Sequence, residues 1–389
     1  MALIDLIDAQ VDHPVCTVTI GGVAVGSVLK IDYSKSFDQN AGTCTVTLGA
    51  ALAGTPNNSS LVRVNQGYGT YVVSAFTGYV DSYTYNIPNK TWELKLRDVL
   101  KRAEDTWLDD TGVTFTSAQA ETAVTSLLAL AGLSVTAGTT NFTIGDTHPT
   151  TFKLCSIIDA VQQIASLIGW KLWAGADGTV YFQYRKPRPN DSSVTWIYTY
   201  GQNILTRNYE VTDKDLRNKI ITLGYNGIRS EVRADSPYAS IDRLACYSSE
   251  IIDTQGMSDT MAAWMLSDLN TLTYIYTFEC VGNPYVDIGR SVGIVDSDLG
   301  LNTSFFVFSL NSTMDGSTGQ YRYKVTAVRW GPGSTPIWTP PPPGPPGGDP
   351  LPDPANPPPG KGNLLFVPTL RGLSLCRMAY GTDGTDGVP

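Results

Sequence analysis

The sequence predicts an α+β, β-rich fold in which two antiparallel β units flank an α/β region and a proline-rich C-terminal extension follows. Three observations carry this. From Val15 to Leu100, and again beyond Trp196, apolar and polar residues alternate in short runs that break at Gly, Asn or Pro, the period of half-buried strands. Between these stretches, apolar residues recur at helical spacing. Near the end, proline makes up 13 of the 27 residues from Pro336 to Gly362, a composition that no helix or sheet interior accommodates.

The first β unit reads as CTVTIGG, TCTVTLGA, TYVVSAFTGYVDSYTY and TWELKLRD. Ile87, Pro88 and Asn89 break the pattern, because proline offers no ladder donor and Asn favours turns, so Tyr79–Tyr85 and Trp92–Leu96 form a hairpin. Such a run of strands suits a barrel or a sandwich. A helix is expected over Ser117–Leu133, with Ala120, Val124, Leu127, Leu128 and Ala131 on one face and Gly132 as a stop signal. A second covers Leu154–Ile168, where Ile157, Ile158, Val161, Ile164, Ala165 and Ile168 make an apolar face ahead of Gly169. It packs on the next segment, WKLWAGADGTVYFQYRKP, a hairpin turning at Asp177 and Gly178. Its aromatic residues Trp170, Trp173, Tyr181, Phe182 and Tyr184 are read as core and strand surface rather than as a sugar or base platform.

Strand patterns return at Trp196–Tyr200 and Asn218–Tyr225, and a third helix is expected over Ser258–Leu272 from Met261, Trp264, Met265 and Leu269. TYIYTFECVG, RSVGIVDS, SFFVFSLNSTM and YRYKVTAVRW then alternate around turns such as Asn283-Pro284 and Asp315-Gly316, which makes a second β unit. The proline-rich stretch is a stiff spacer, reaching on the order of 80 Å at polyproline rise. Asn363–Tyr380 regains apolar character and is either a docking peptide or a disordered tail. The expected divisions are 1–105 (first β unit), 106–190 (α/β region with two helices and a hairpin), 191–335 (second β unit with one helix), 336–362 (linker) and 363–389 (docking or disordered segment).

At 389 residues the chain is long enough for several packed units. Its net charge of −9 and pI near 4.8 argue against a protein that grips nucleic-acid phosphates, which takes Lys and Arg. Charged residues are only 16% of the chain, so much of the surface is expected to be uncharged or covered by other subunits. Six dispersed cysteines form no CxxC pair, and His13 and His148 are the only histidines, which leaves little for a zinc site or a Ser-His-Asp triad. No Walker, HExxH, GxSxG or EF-hand pattern occurs. Carboxylates close in sequence, Asp109 with Asp110 and Asp296 with Asp298, are read as solvated turns. The basic runs Leu96–Arg102 and Tyr184–Pro189 are read as snorkelling side chains or ion pairs. The N-terminus lacks the basic and apolar regions of a secretory signal, and no run approaches the ~20 apolar residues of a membrane span. Synthesis as a soluble intracellular protein is the expectation.

Four segments in one order resemble baseplate hub or tail-tip hub proteins of tailed bacteriophages, the contractile-tail hub and late-control type. They are FTGYVDSYTYNIPNKTWELKLRDVLKRAED (Phe76–Asp105), the helix and hairpin over Ala160–Tyr184, LRNKIITLGY (Leu216–Tyr225) and VDIGRSVGI (Val286–Ile294). The resemblance implies that the two β units are tail-tube-like antiparallel β-barrels and that the chain is a homotrimer, so that six barrel-like units continue a sixfold tube. It carries no catalytic residues, and the proline spacer is not part of the common hub core.

The expected function follows. The chain is a virion structural protein, not an enzyme, with no cofactor and no catalytic, cofactor-binding or metal residues. It forms a trimeric ring at the distal end of a phage tail tube, adapts sixfold symmetry to a threefold spike or tip, and lines the channel through which DNA passes without specific binding during genome ejection. Expected partners are itself, a tail-tube or distal-tail ring protein, a spike or tip protein, and a baseplate wedge or fibre protein through 363–389. The expected location is the virion tail or baseplate, after assembly in the host bacterial cytoplasm. One alternative is a distal-tail or fibre-attachment ring protein, which subunit count separates. Another is a glycan-binding or glycan-cleaving β protein, which a glycan-array or hydrolysis signal separates.

Overall fold

A computed structural model describes residues 14–49, 57, 59–140, 142–184, 194–236 and 240–331, together with the backbone of strands at 364–369 and 372–377. The proline-rich stretch 336–362, His13 and most of the basic run Tyr184–Pro189 lie outside the described residues.

The first β stretch forms seven strands: β1 (Pro14–Ile20), β2 (Val23–Val25), β3 (Val28–Ser36), β4 (Thr43–Leu48), β5 (Leu61–Tyr68), β6 (Tyr71–Asn86) and β7 (Thr91–Asp98). The hairpin expected around Ile87 to Asn89 is the β6–β7 pair, which closes by pairing Asn86 with Thr91. Next come α1 (Lys101–Asp105), β8 (Val113–Phe115), β9 (Ala118–Gln119), α2 (Ala120–Leu130), β10 (Val135–Ala137), β11 (Thr143–Ile144), β12 (Thr150–Phe152), α3 (Ile157–Ile168) and the hairpin β13 (Trp170–Ala174) and β14 (Val180–Tyr184). The remainder is β15 (Trp196–Thr199), β16 (Ile204–Thr212), β17 (Lys219–Leu223), β18 (Arg229–Arg233), β19 (Leu244–Ser248), α4 (Gln255–Leu269), β20 (Thr273–Val281), β21 (Ser291–Asp296), β22 (Leu301–Asp315), β23 (Gln320–Trp330), β24 (Leu364–Thr369) and β25 (Gly372–Arg377).

Each expected helix is present, with ends set by local chemistry. Two residues of the expected first helix form β9 instead, paired with β11, so α2 begins at Ala120. α3 begins at Ile157 rather than Leu154 because Ser156 caps it, accepting a hydrogen bond from the Asp159 N–H at 3.2 Å and donating to its carboxylate at 2.6 Å. Its end is Gly169, in the left-handed region at φ +69°. The indole of Trp264 packs where a β-carbon on Gly169 would stand, 2.5 Å away. α4 starts earlier than expected, at Gln255, because Thr254 accepts from the Met257 N–H at 3.2 Å.

The two β stretches are not separate sheets. They meet where β3 pairs antiparallel with β22, from Lys30 opposite Asp315 to Ser36 opposite Ser309. The result is one 13-stranded sheet running β16-β20-β23-β22-β3-β4-β7-β6-β5-β1-β2, with β21 and β15 branching from β22. Side chains from both stretches share one apolar core: Ile31, Val46, Phe76 and Leu94 from the first, with Tyr276, Phe278, Val307 and Val325 from the second. A second core collects α2, α3 and α4 with the β13–β14 hairpin and Ile220 of β17, through Val124, Leu127, Val161, Ile164, Met261 and Met265. The segment that carries β17–β19 and α4 thus leaves the large sheet after β16 and packs in the helical layer before the chain returns as β20.

Candidate functional site: the joint between the two β stretches

The alternation that puts Ile31, Tyr33 and Lys35 of β3 on its buried side carries a charge into the core. Lys35 is 1% exposed, and its ammonium donates to Asp287 Oδ1 at 3.0 Å and Oδ2 at 3.2 Å. Asp287 lies in the loop between β20 and β21, and its Oδ2 also accepts the Ala176 N–H at 2.8 Å. Ala176 sits in the turn of the β13–β14 hairpin, where its carbonyl accepts the hydroxyls of Ser74 and Thr77 on β6, each at 2.9 Å. One carboxylate therefore ties the first β stretch, the second β stretch and the helical layer together. Hydrogen bonds of this kind offset the cost of removing the pair from water. Close by, Gly289 at φ +79° lies against the Trp173 indole, where a β-carbon would come within 2.9 Å.

The same junction holds a chain of phenols. Tyr33 shares a 2.9 Å hydrogen bond with Tyr323, and Tyr321 shares another 2.9 Å bond with Tyr323. Burial pushes all three hydroxyls well above the usual phenol range, so they stay protonated and available as donors. Tyr68 on β5 donates to the Gly282 carbonyl at 2.9 Å, a further link from the first stretch to the second.

At the end of β7, buried Asp98 accepts the Gly42 N–H at 2.6 Å and the Leu100 N–H at 2.9 Å. Burial raises its carboxyl to about 7, while the two backbone donors and Lys35 pull the other way. The basic run that begins nearby is engaged in ion pairs: Arg97 reaches Asp81 at 2.8 Å, Asp105 at 3.1 Å and also Glu104, and Lys101 pairs with Asp105 and Asp81.

The two acidic pairs behave differently. Asp109 caps its own turn, accepting the N–H groups of Thr111 and Gly112 at 3.0 Å each. Asp296 corrects the expectation of a solvated turn, because it is fully buried. It takes Arg207 Nε at 2.6 Å and the Tyr276 hydroxyl at 2.7 Å, while Asp298 holds the other side of that guanidinium at 2.9 Å. Nothing in the local sequence marks Arg207 as the partner. The aromatic hairpin packs as core and strand surface, as expected: Phe182 and Trp173 are buried, and the Tyr184 hydroxyl donates to Asp268 at 3.1 Å. Among the described residues, no group of three or more His, Cys, Asp or Glu is placed to hold a metal ion, and no helix is long and apolar enough to cross a membrane.

Solved structures share this architecture. A tail protein from Neisseria meningitidis matches over 82% of this chain and 97% of its own, with a TM-score of 0.62 at 16% identity. This is a tail-protein fold. The 43 kDa tail protein of prophage MuSo2 from Shewanella oneidensis shares it over 81% of this chain and 98% of its own, with a TM-score of 0.61 at 14% identity. An E. coli component of the type VI secretion system, itself structurally similar to bacteriophage T4 tail proteins gp27 and gp5, shares it over 80% of this chain and 76% of its own, with a TM-score of 0.51 at 8% identity. No family model matches the sequence, and no curated protein matches it. The fold is thus shared at 16% identity or less, and in this chain the Lys35–Asp287 pair links its two β stretches.

Proposed function

We propose that the chain is a structural hub of a phage tail rather than an enzyme, with three copies closing a ring at the distal end of the tail tube. In this reading, the β1–β7 strands and the β15–β16 and β20–β23 strands are two tail-tube-like barrels, so three chains present six units to a sixfold tube and three to a spike or tip. Residues 106–190 form the α/β region between them. The observation that carries the reading is the β3–β22 seam, which joins the two β stretches in one sheet within a tail-protein fold. Its partners are then a tail-tube or distal-tail ring protein on one side and a spike or tip protein on the other, in the virion tail.

The net charge of −9 suits a channel wall that repels phosphate and lets DNA slide. Ring counting by native mass measurement or cryo-EM tests the reading. A closed trimer supports it; a six-copy ring points instead to a distal-tail ring protein, and a monomer stable at high concentration overturns it. A basic channel wall in the assembled ring would remove the DNA-sliding element.

A further inference from the structure

Between the helical layer and the large sheet lies an open groove of about 730 Å³. Ile275 of β20, Phe308 of β22 and Trp330 of β23 line its sheet side, and Leu244 and Cys246 of β19 line the other. β19 is an edge strand, since the small sheet runs β18-β17-β19, and both Leu244, at 48%, and Cys246 are exposed. An edge strand beside an apolar wall is a template for a further strand.

Two observations identify what fits it. Trp330 is the last residue of β23, so the chain leaves the large sheet at the groove and enters the proline-rich spacer. Beyond that spacer, β24 and β25 form a two-stranded sheet of their own, with Phe366 opposite Leu375 and Leu365 opposite Cys376. A lone two-stranded hairpin is marginal in water and gains stability when a third strand or an apolar surface meets it.

We propose that the groove receives the β24–β25 hairpin of a second copy of this chain, which adds to the free edge of β19. A second copy is favoured over the same chain because the spacer starts at the groove. With 13 prolines in 27 residues, that stretch has the composition of an extended spacer with a reach on the order of 80 Å, long enough to meet a neighbouring copy. Copies are thus linked by exchanged arms in addition to whatever contacts close a ring.

The experiment uses the full chain, assembled from a mixture of isotopically heavy and light copies and treated with a short bis-maleimide. The expected product joins Cys246 to Cys376 in peptide pairs that combine one heavy and one light copy, and it disappears in Cys246→Ser and in Cys376→Ser. Pairs of matching label only would mean that the arm folds onto its own chain, and absence of the Cys246–Cys376 product would mean that it docks elsewhere; either overturns the proposal. As a second measurement, alkylation of Cys246 is expected to be severalfold slower in the full chain than in a chain ending at residue 335. Equal rates count against the proposal. A shortened chain that still closes as a trimer would leave the hub reading intact, so the two ideas fail separately.

Discussion

Lys35 and Asp287 stand 252 residues apart in the chain and meet at 3.0 Å in the interior. Their ion pair bridges two β stretches that the sequence keeps apart by the whole helical layer, and a further partner of the carboxylate, the Ala176 N–H, belongs to that layer.

Removing one charge should therefore be costly. Lys35→Met leaves the Asp287 carboxylate with backbone donors alone and is expected to destabilise the fold by about 3 to 5 kcal/mol, whereas Lys35→Met with Asp287→Leu together should cost less than the two singles summed. Urea unfolding of the four proteins of this cycle checks it. Additive losses would show that the pair contributes no coupling.

Asp98 gives a pH signature. Its carboxyl titrates near 7 in the folded chain against a usual 3.8, so the folded state holds the proton at pH values where the unfolded chain has lost it. That stabilisation is complete below about pH 4 and disappears as the pH rises through 7. Relative to Asp98→Asn, which does not titrate, the natural protein should lose stability between pH 4 and 7, by on the order of a few kcal/mol. A pH-independent difference between the two would show that burial does not hold the proton there.

At the other end of the sheet, Arg207→Ala strips Asp296 of its cation while leaving it buried. The expected loss is about 3 kcal/mol, against about 1 to 2 kcal/mol for Tyr276→Phe, which removes one neutral donor. Thermal unfolding ranks the two. The reverse order would mean that solvent reaches Asp296 and screens it.

Gly169 and Trp264 make a steric pair. Gly169→Ala forces a β-carbon into a left-handed residue and against the indole 2.5 Å away, with an expected cost of about 2 to 3 kcal/mol. In a Trp264→Leu background the same substitution should cost less, leaving mainly the backbone strain. Equal costs in both backgrounds would place the whole effect in φ.

What the sequence revealed and what it concealed divide along chain distance. α3 was legible because its apolar face and Gly169 stop lie within one stretch, although its start was placed at Leu154 because the Ser156 cap went unread, and the β6–β7 hairpin because Pro88 and Asn89 mark its turn. The β3–β22 seam was not legible: alternation identifies a strand and its buried face but not the neighbour at its edge. For the same reason nothing singled out Lys35, and Asp296 read as a turn carboxylate, since their partners Asp287 and Arg207 come from afar. The groove beside β19 is likewise formed by elements distant in sequence.

The seam also bears on how the chain is made. Tyr33 and its hydrogen-bond partner Tyr323 are separated by 290 residues, so β3 leaves the ribosome long before β22 exists to cover its edge. For most of synthesis the first half carries an open, partly apolar strand edge, the kind of surface that nucleates wrong pairings. Pairing at such separation is also slow. Midway through translation that edge is therefore at its most exposed, and correct folding depends on the last strands of the sheet arriving before another chain meets it.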